Sequence, residues 1–260
     1  MFFKPMGSSR TVAIDWLEIV TADSGPEKIF GDTTSGGNRP SGGVAPWWTM
    51  TINGKPSDQD IADFLNFSRG DVIRVTHGGS GGMLMCADCD IKEIRGALPY
   101  ALYQTNPDPY FDYTFQYARS LKTVPAELFV NVNGMSCDFT YTFNGCGIET
   151  VPTGLFANLD LPKVNFFRLF YDAYWLNSID INEFARFKNI KSLNGMFSGC
   201  DIGSAPIHLR FTATDVSESN GFQYFASRVP EGRVTVYCPK GSNFAKRMKA
   251  DNPNVTVVEE

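Results

Sequence analysis

The sequence predicts a β-rich α/β fold, a solenoid of about five rungs at residues 83–260 behind a small N-terminal β-rich docking domain at residues 1–82. Three observations predict it. An aromatic anchor recurs at Phe115, Phe143, Phe170, Phe197 and Phe225, at intervals of 28, 27, 27 and 28 residues. Each of the first four anchors is followed three positions later by a small residue (Ala118, Cys146, Ala173, Cys200), then by an aliphatic one (Leu121, Ile148, Leu176, Ile202). A second aliphatic follows at Val124, Val151, Ile179 and Ala205, and a second aromatic at Phe129, Phe156, Phe184 and Phe211. Proline stands between them at Pro125, Pro152 and Pro206, with Asp180 as the exception. Units of this length cannot bury their own apolar faces and must stack.

Composition agrees with a folded chain rich in turns. Of 260 residues, 43% are hydrophobic and 13% aromatic, which is ample for a core, and 24 Gly with 15 Pro favour strands and turns over long helices. With 23 basic against 28 acidic residues and a net charge of −5, there is no dense Lys/Arg run, so nucleic acid is not an expected partner. No apolar stretch reaches the length of a membrane span, so membrane insertion is not expected. If the chain starts at its native Met1, the opening Met-Phe-Phe-Lys-Pro-Met-Gly lacks the layout of a secretory signal. The expectation is then a chain made in the cytosol that stays there or leaves by another route.

Residues 1–10 read as an arm, and Thr11–Val20 as a half-buried strand with Val12, Ile14 and Trp16 in alternation. Gly25–Pro46 is turn chemistry throughout, the length of a functional or partner-ordered loop. Trp47–Ile52 reads as a strand ending at the Asn53-Gly54 turn, 58–67 as a short helix capped by Ser57, and Asp71–Thr76 as another strand. Residues 83–110 match the repeat loosely and are expected to form a degenerate first rung. Arg233–Cys238, the Pro239–Ser242 turn, a short helix over Asn243–Ala250 and a strand at Val255–Val258 complete the expected C-terminal cap.

Met196-Phe-Ser-Gly-Cys-Asp-Ile202, Leu121-Lys-Thr-Val-Pro-Ala-Glu-Leu-Phe129 and Ile148-Glu-Thr-Val-Pro-Thr-Gly-Leu-Phe156 resemble the BspA-like leucine-rich repeats of bacterial surface proteins. The ending Val236-Tyr-Cys-Pro-Lys-Gly-Ser242 with its short helix is similar to that family's closing segment. The resemblance covers roughly residues 83–260 and implies a right-handed, leucine-rich-repeat-like solenoid. It also implies a binding or adhesion module without catalytic residues or cofactors; similar repeats occur in phage virion proteins. The third copy departs from the pattern, with Asp180-Ile-Asn-Glu-Phe184 where Pro-x-x-Leu-Phe is expected.

Two motifs suggest chemistry. Gly78-Gly-Ser80-Gly-Gly82 satisfies G-x-S-x-G after a predicted strand, as a serine hydrolase's nucleophile elbow would. The helix that should follow is missing, and one of the chain's two histidines, His208, would have to serve as base from a distant turn; a glycine-rich hinge explains the string equally. Cys86-Ala-Asp-Cys89 is a C-x-x-C, yet a structural zinc site needs four ligands and no second pair is present. Cys89 falls in the slot occupied elsewhere by Cys146, Cys200, Ala118 and Ala173, so the six cysteines read as free thiols packing as small apolar groups.

If the segments before the anchors are strands, the positions four before (Phe111, Phe139, Phe166, Leu193) face inward, and those three and one before face outward. The outward set is Asp112, Thr114, Thr140 and Thr142 in the first two copies, then Phe167, Leu169, Asn194 and Met196. Phe167, Leu169 and Met196, extended by Tyr174 and Trp175, make an expected partner-binding patch; the alternative is a patch covered by other parts of the same chain. The overall expectation is a non-enzymatic structural or host-recognition protein with no cofactor or metal. Its most direct form is a phage virion component (tail or head fibre, or adaptor) in a homo- or hetero-oligomer with other virion subunits. A bacterial cell-surface adhesin meeting a surface receptor is the alternative.

Overall fold

The structure, a computed structural model, describes residues 14, 16–22, 49–56, 69–76, 91–98, 111–132, 136–200 and 206–260. The expected arm, the 25–46 loop, the 58–67 helix, Ser80 and Cys86-Cys89 lie outside the described residues. The alternating apolar residues near the N-terminus build an antiparallel sheet from β1 (Trp16–Thr21), β2 (Thr49–Ile52), β3 (Lys55–Pro56), β4 (Val72–Thr76) and β5 (Ile91–Gly96), in the order β3-β2-β4-β1-β5. Leu17 and Ile19 meet Val75 and Ile73 across the β1–β4 pair, and all four are buried. Asn53 and Gly54 turn β2 into β3 with φ of 51° and 76°, the left-handed pair that an Asn-Gly hairpin requires.

β5 comes from the segment expected to be a degenerate first rung. It instead runs antiparallel beside β1, closing on the far side of residue 82 the sheet begun before it. Asn131 ties this sheet to the repeats, its Nδ2 donating to the carbonyls of Ile14 and Leu98 at 2.9 Å each.

The repeats do not form the right-handed leucine-rich-repeat-like solenoid of about five rungs. Among the described residues, the other strands make a two-stranded parallel sheet of β6 (Cys137–Asp138) and β7 (Val164–Asn165) and a three-stranded parallel sheet of β8 (Ile207–Arg210), β9 (Val234–Cys238) and β10 (Thr256–Glu259). The only helix among them is α1 (Asn243–Asp251). Small separate sheets replace one continuous ladder because the residues around each anchor are hydrogen-bonded turns rather than strands. Thr114, Gln116 and Ala118 donate to the residue three back, while Phe111, Tyr113, Phe115 and Tyr117 donate onward to Asp138, Thr140, Thr142 and Asn144.

This alternation recurs in the later copies, so turn segments stack on one another through half of their amides. Tight chain reversal places Tyr113, Tyr117, Tyr141, Arg168 and Asp172 at φ between 52° and 62°, at matching places in successive segments. Phe115, Phe143, Phe170 and Phe197 stack with centroids 5.4, 5.6 and 5.5 Å apart. Phe129, Phe156, Phe184 and Phe211 form a parallel column at 5.9, 5.5 and 5.7 Å. Aromatic contacts of this kind add about 0.5–1.5 kcal/mol each to the burial itself.

The C-terminus closes the stack much as its sequence suggests. Ser242 caps α1 by accepting the Ala245 N–H at 3.1 Å, and Phe244 packs edge-on to Phe222 at 4.7 Å. Asn252 and Asn254 donate to the carbonyls of Phe222 and Ala226, 2.8 Å each, from the last turn segment. Among the described residues no helix is long and apolar enough to cross a membrane.

Candidate functional site

Burial follows the turns, and it sorts the expected patch. The positions one before the anchor, Thr114, Thr142, Leu169 and Met196, are all 0% exposed. Leu169 and Met196 are therefore core residues, not an outward face. Inward positions fall four and one before the anchor, at it, and three after it, the spacing of a helical turn rather than the alternation of a strand. Phe167 is half-buried, against Tyr141 at 5.6 Å and under the Arg168 guanidinium at 5.1 Å.

Tyr174 and Trp175 are the most exposed members of the patch, 48% and 45% exposed. Their rings meet edge to face at 6.2 Å. They lie where the turn segment leaves the stack, held by Leu176 N–H donating to Ala173 O and Asn177 N–H donating to Glu149 O. Lys122 stands over the Trp175 ring, its Nζ 5.0 Å from the centroid and 2.9 Å from Glu149 Oε1. The two rings are thus presented by a stacked scaffold, with a lysine–glutamate pair along one side. Tyr117 and Tyr224 are further exposed aromatics, each at the left-handed backbone angle that turns its side chain away from the core.

The cysteine slot behaves as packing. Cys146 and Cys200 are buried free thiols in the place held by Ala118 and Ala173, and each Sγ points at a backbone carbonyl, 3.3 Å from Ala118 O and 2.9 Å from Phe170 O. Burial pushes the Cys146 thiol up to about 12 and that of Cys200 further in the same direction. Neither is poised as a nucleophile. His208 is exposed on β8, with Nδ1 3.4 Å from the Tyr237 hydroxyl. Among the described residues no cluster of three or more His, Cys, Asp or Glu could hold a metal ion.

Sequence reasoning missed Glu183. It stands in the irregular third copy, where the two preceding copies have Leu128 and Leu155, and it is 0% exposed. Its carboxylate accepts the N–H groups of Gly154, Phe156 at 2.8 Å and Ala157 at 3.1 Å. The departure from Pro-x-x-Leu-Phe was the available signal: an acidic residue in an apolar slot needs donors, and the turn of the neighbouring copy supplies them.

A shallow groove of about 510 Å³ crosses the repeats near Thr150, Ser178 and His208, lined mainly by small polar and aliphatic side chains. Asp180 and His208 are its titratable lining residues, and they are engaged separately: Asp180 Oδ1 accepts the Asn182 N–H at 2.8 Å, and His208 Nδ1 lies 3.4 Å from the Tyr237 hydroxyl. Compared with protein families, curated proteins and solved structures, the chain matches none.

Proposed function

We propose that this chain is a non-enzymatic recognition and assembly protein that docks another protein subunit through the exposed Tyr174–Trp175 face. The observation that carries the reading is that aromatic pair, about half exposed between the fully buried Ala173 and Leu176. Tyrosine and tryptophan held rigidly at a surface are the usual anchors of protein interfaces, because they bury much area for little lost conformational freedom. Lys122 and Glu149 beside them give a polar rim that sets register.

In its more specific form the chain is a virion component, a tail or head fibre or an adaptor, assembled with other virion subunits inside a host. A bacterial cell-surface adhesin meeting a surface receptor is the second form, and the resemblance of the repeats to bacterial surface modules favours both. The test is a Tyr174→Ala, Trp175→Ala double variant. Expected is a folded chain of nearly unchanged stability that no longer joins its assembly; assembly at the unmodified level would refute the docking face. A fluorophosphonate probe that labelled Ser80 would contradict the non-enzymatic reading.

A further inference from the structure

Two arginines lie over the outer side of the fourth turn segment. Arg168 comes from the third segment and Arg228 from the fifth, both at left-handed backbone angles, φ 52° and 66°. Glycine makes the room for them on the segment between. A Cβ on Gly195 would sit 2.9 Å from Arg168 Cγ, and one on Gly199 would sit 2.6 Å from Arg228 Nη2. Both guanidinium groups stand against the Tyr171 ring, with Cζ 5.0 and 5.3 Å from its centroid. The rings of Tyr141 and Phe167 also flank Arg168, at 5.5 and 5.1 Å.

These two cations have one carboxylate between them. Arg228 Nη2 donates to Asp172 Oδ1 at 2.7 Å. Arg168 donates from Nη1 to the Tyr141 hydroxyl and pairs with no carboxylate among the described residues, and its Nε is buried without an acceptor. A guanidinium carries five donors, so most of those on both arginines are unfilled. Arg186, Lys191 and Arg247, elsewhere on the repeats, each have a carboxylate of their own in Asp160, Glu218 and Asp215. The excess of positive charge around Tyr171 is therefore local, on a chain whose net charge is −5.

We propose that Arg168 and Arg228 form a binding site for an oxyanion, a carboxylate, sulfate or phosphate group carried by a ligand, seated beside Tyr171 above Gly195 and Gly199. Guanidinium forks match the paired oxygens of such a group and bond to it more strongly than neutral donors do. Three rings hold the Arg168 fork in place beforehand, so little side-chain freedom is lost on binding. Tyr224 stands in the segment that stacks below Gly195, whose N–H donates to Gln223 O, and its 61% exposed ring is open to whatever carries the anion. The site stands on Arg168, Tyr171 and Arg228 and goes beyond protein docking at Tyr174 and Trp175, which its failure would leave untouched.

NMR titration of the full chain at pH 7 and fixed ionic strength, following the arginine Nε–H signals, tests the proposal with inorganic phosphate, sulfate and acetate as probes. Expected are saturable shifts at Arg168 and Arg228, with a dissociation constant of about 1–10 mM for the best probe. Tighter binding of acetate than of phosphate and sulfate assigns the ligand's group as a carboxylate, and the reverse order assigns it as a tetrahedral anion. Arg228→Gln, at a side chain 54% exposed, should weaken binding about tenfold, while Lys188→Gln, which removes the same charge from an exposed place in another part of the repeat, should leave it unchanged. Arg168→Lys keeps the charge but loses the fork and should also bind more weakly; should that variant fail to fold, the Arg228→Gln result decides. Shifts that do not saturate for any probe, or binding that Arg228→Gln leaves intact, would overturn the site.

Discussion

Replacing Glu183 by leucine restores the residue type found at the matching place in the two preceding copies, and the structure makes that apparent repair destabilising. The glutamate is completely buried and its carboxylate accepts the amides of Gly154, Phe156 and Ala157. A hydrogen bond to a charged group contributes about 1.5 kcal/mol at the low end of its range, so three contribute about 4.5 kcal/mol. Extra apolar burial by leucine offsets roughly 1.5 kcal/mol. The expected net loss is about 3 kcal/mol, which in a chain of this size lowers the thermal midpoint by roughly 6–12 °C. Urea unfolding of Glu183→Leu should show a lower midpoint at unchanged slope. Glu183→Gln, which keeps one acceptor oxygen but turns an amide N–H toward a donor, should fall between the two. A leucine variant as stable as the unmodified chain would mean that the three amides do not need the carboxylate, and the account of the irregular copy would be wrong.

Three further outcomes follow from the same geometry. Gly147→Ala should cost about 3 kcal/mol or more in denaturant unfolding, since an added Cβ would sit 1.9 Å from the Arg119 carbonyl oxygen, an unyielding backbone atom. Cys200→Ala should cost no more than about 1 kcal/mol, because the slot already takes alanine at Ala118 and Ala173. Iodoacetamide at pH 8 should leave Cys146 and Cys200 unmodified in the folded chain, as peptide mapping would read, because burial holds both thiols protonated well above that pH.

Local structure, though not the overall fold, was legible residue by residue. The aromatic anchors, the small slot after them, the Asn53-Gly54 hairpin and the Ser242-capped helix all appear where local chemistry puts them. The error was one of period. Reading the pre-anchor residues as strands sent Leu169 and Met196 outward, whereas turns bury both. Nothing local announced those turns, because the left-handed positions are held by Tyr113, Tyr141 and Arg168 as well as by glycines such as Gly145 and Gly195. The non-glycine residues are held there by bonds from the next copy, a contact that no short window contains. Gly195 shows the complementary constraint, since a Cβ there would sit 2.9 Å from Arg168 Cγ. β5 was misread for a related reason, its partner β1 lying some 75 residues earlier in the chain. Tyr174 and Trp175, the extension of the patch, are its most exposed part, while Phe167 is half-buried.

Association through the Tyr174–Trp175 face is tested most directly by the mass of the native assembly, measured by light scattering or native mass spectrometry on the unmodified chain and on the Tyr174→Ala, Trp175→Ala variant. The account predicts a mass well above that of a single chain for the first and a folded single chain for the second. A monomer in its native setting, or an assembly that the double variant leaves intact, would contradict it.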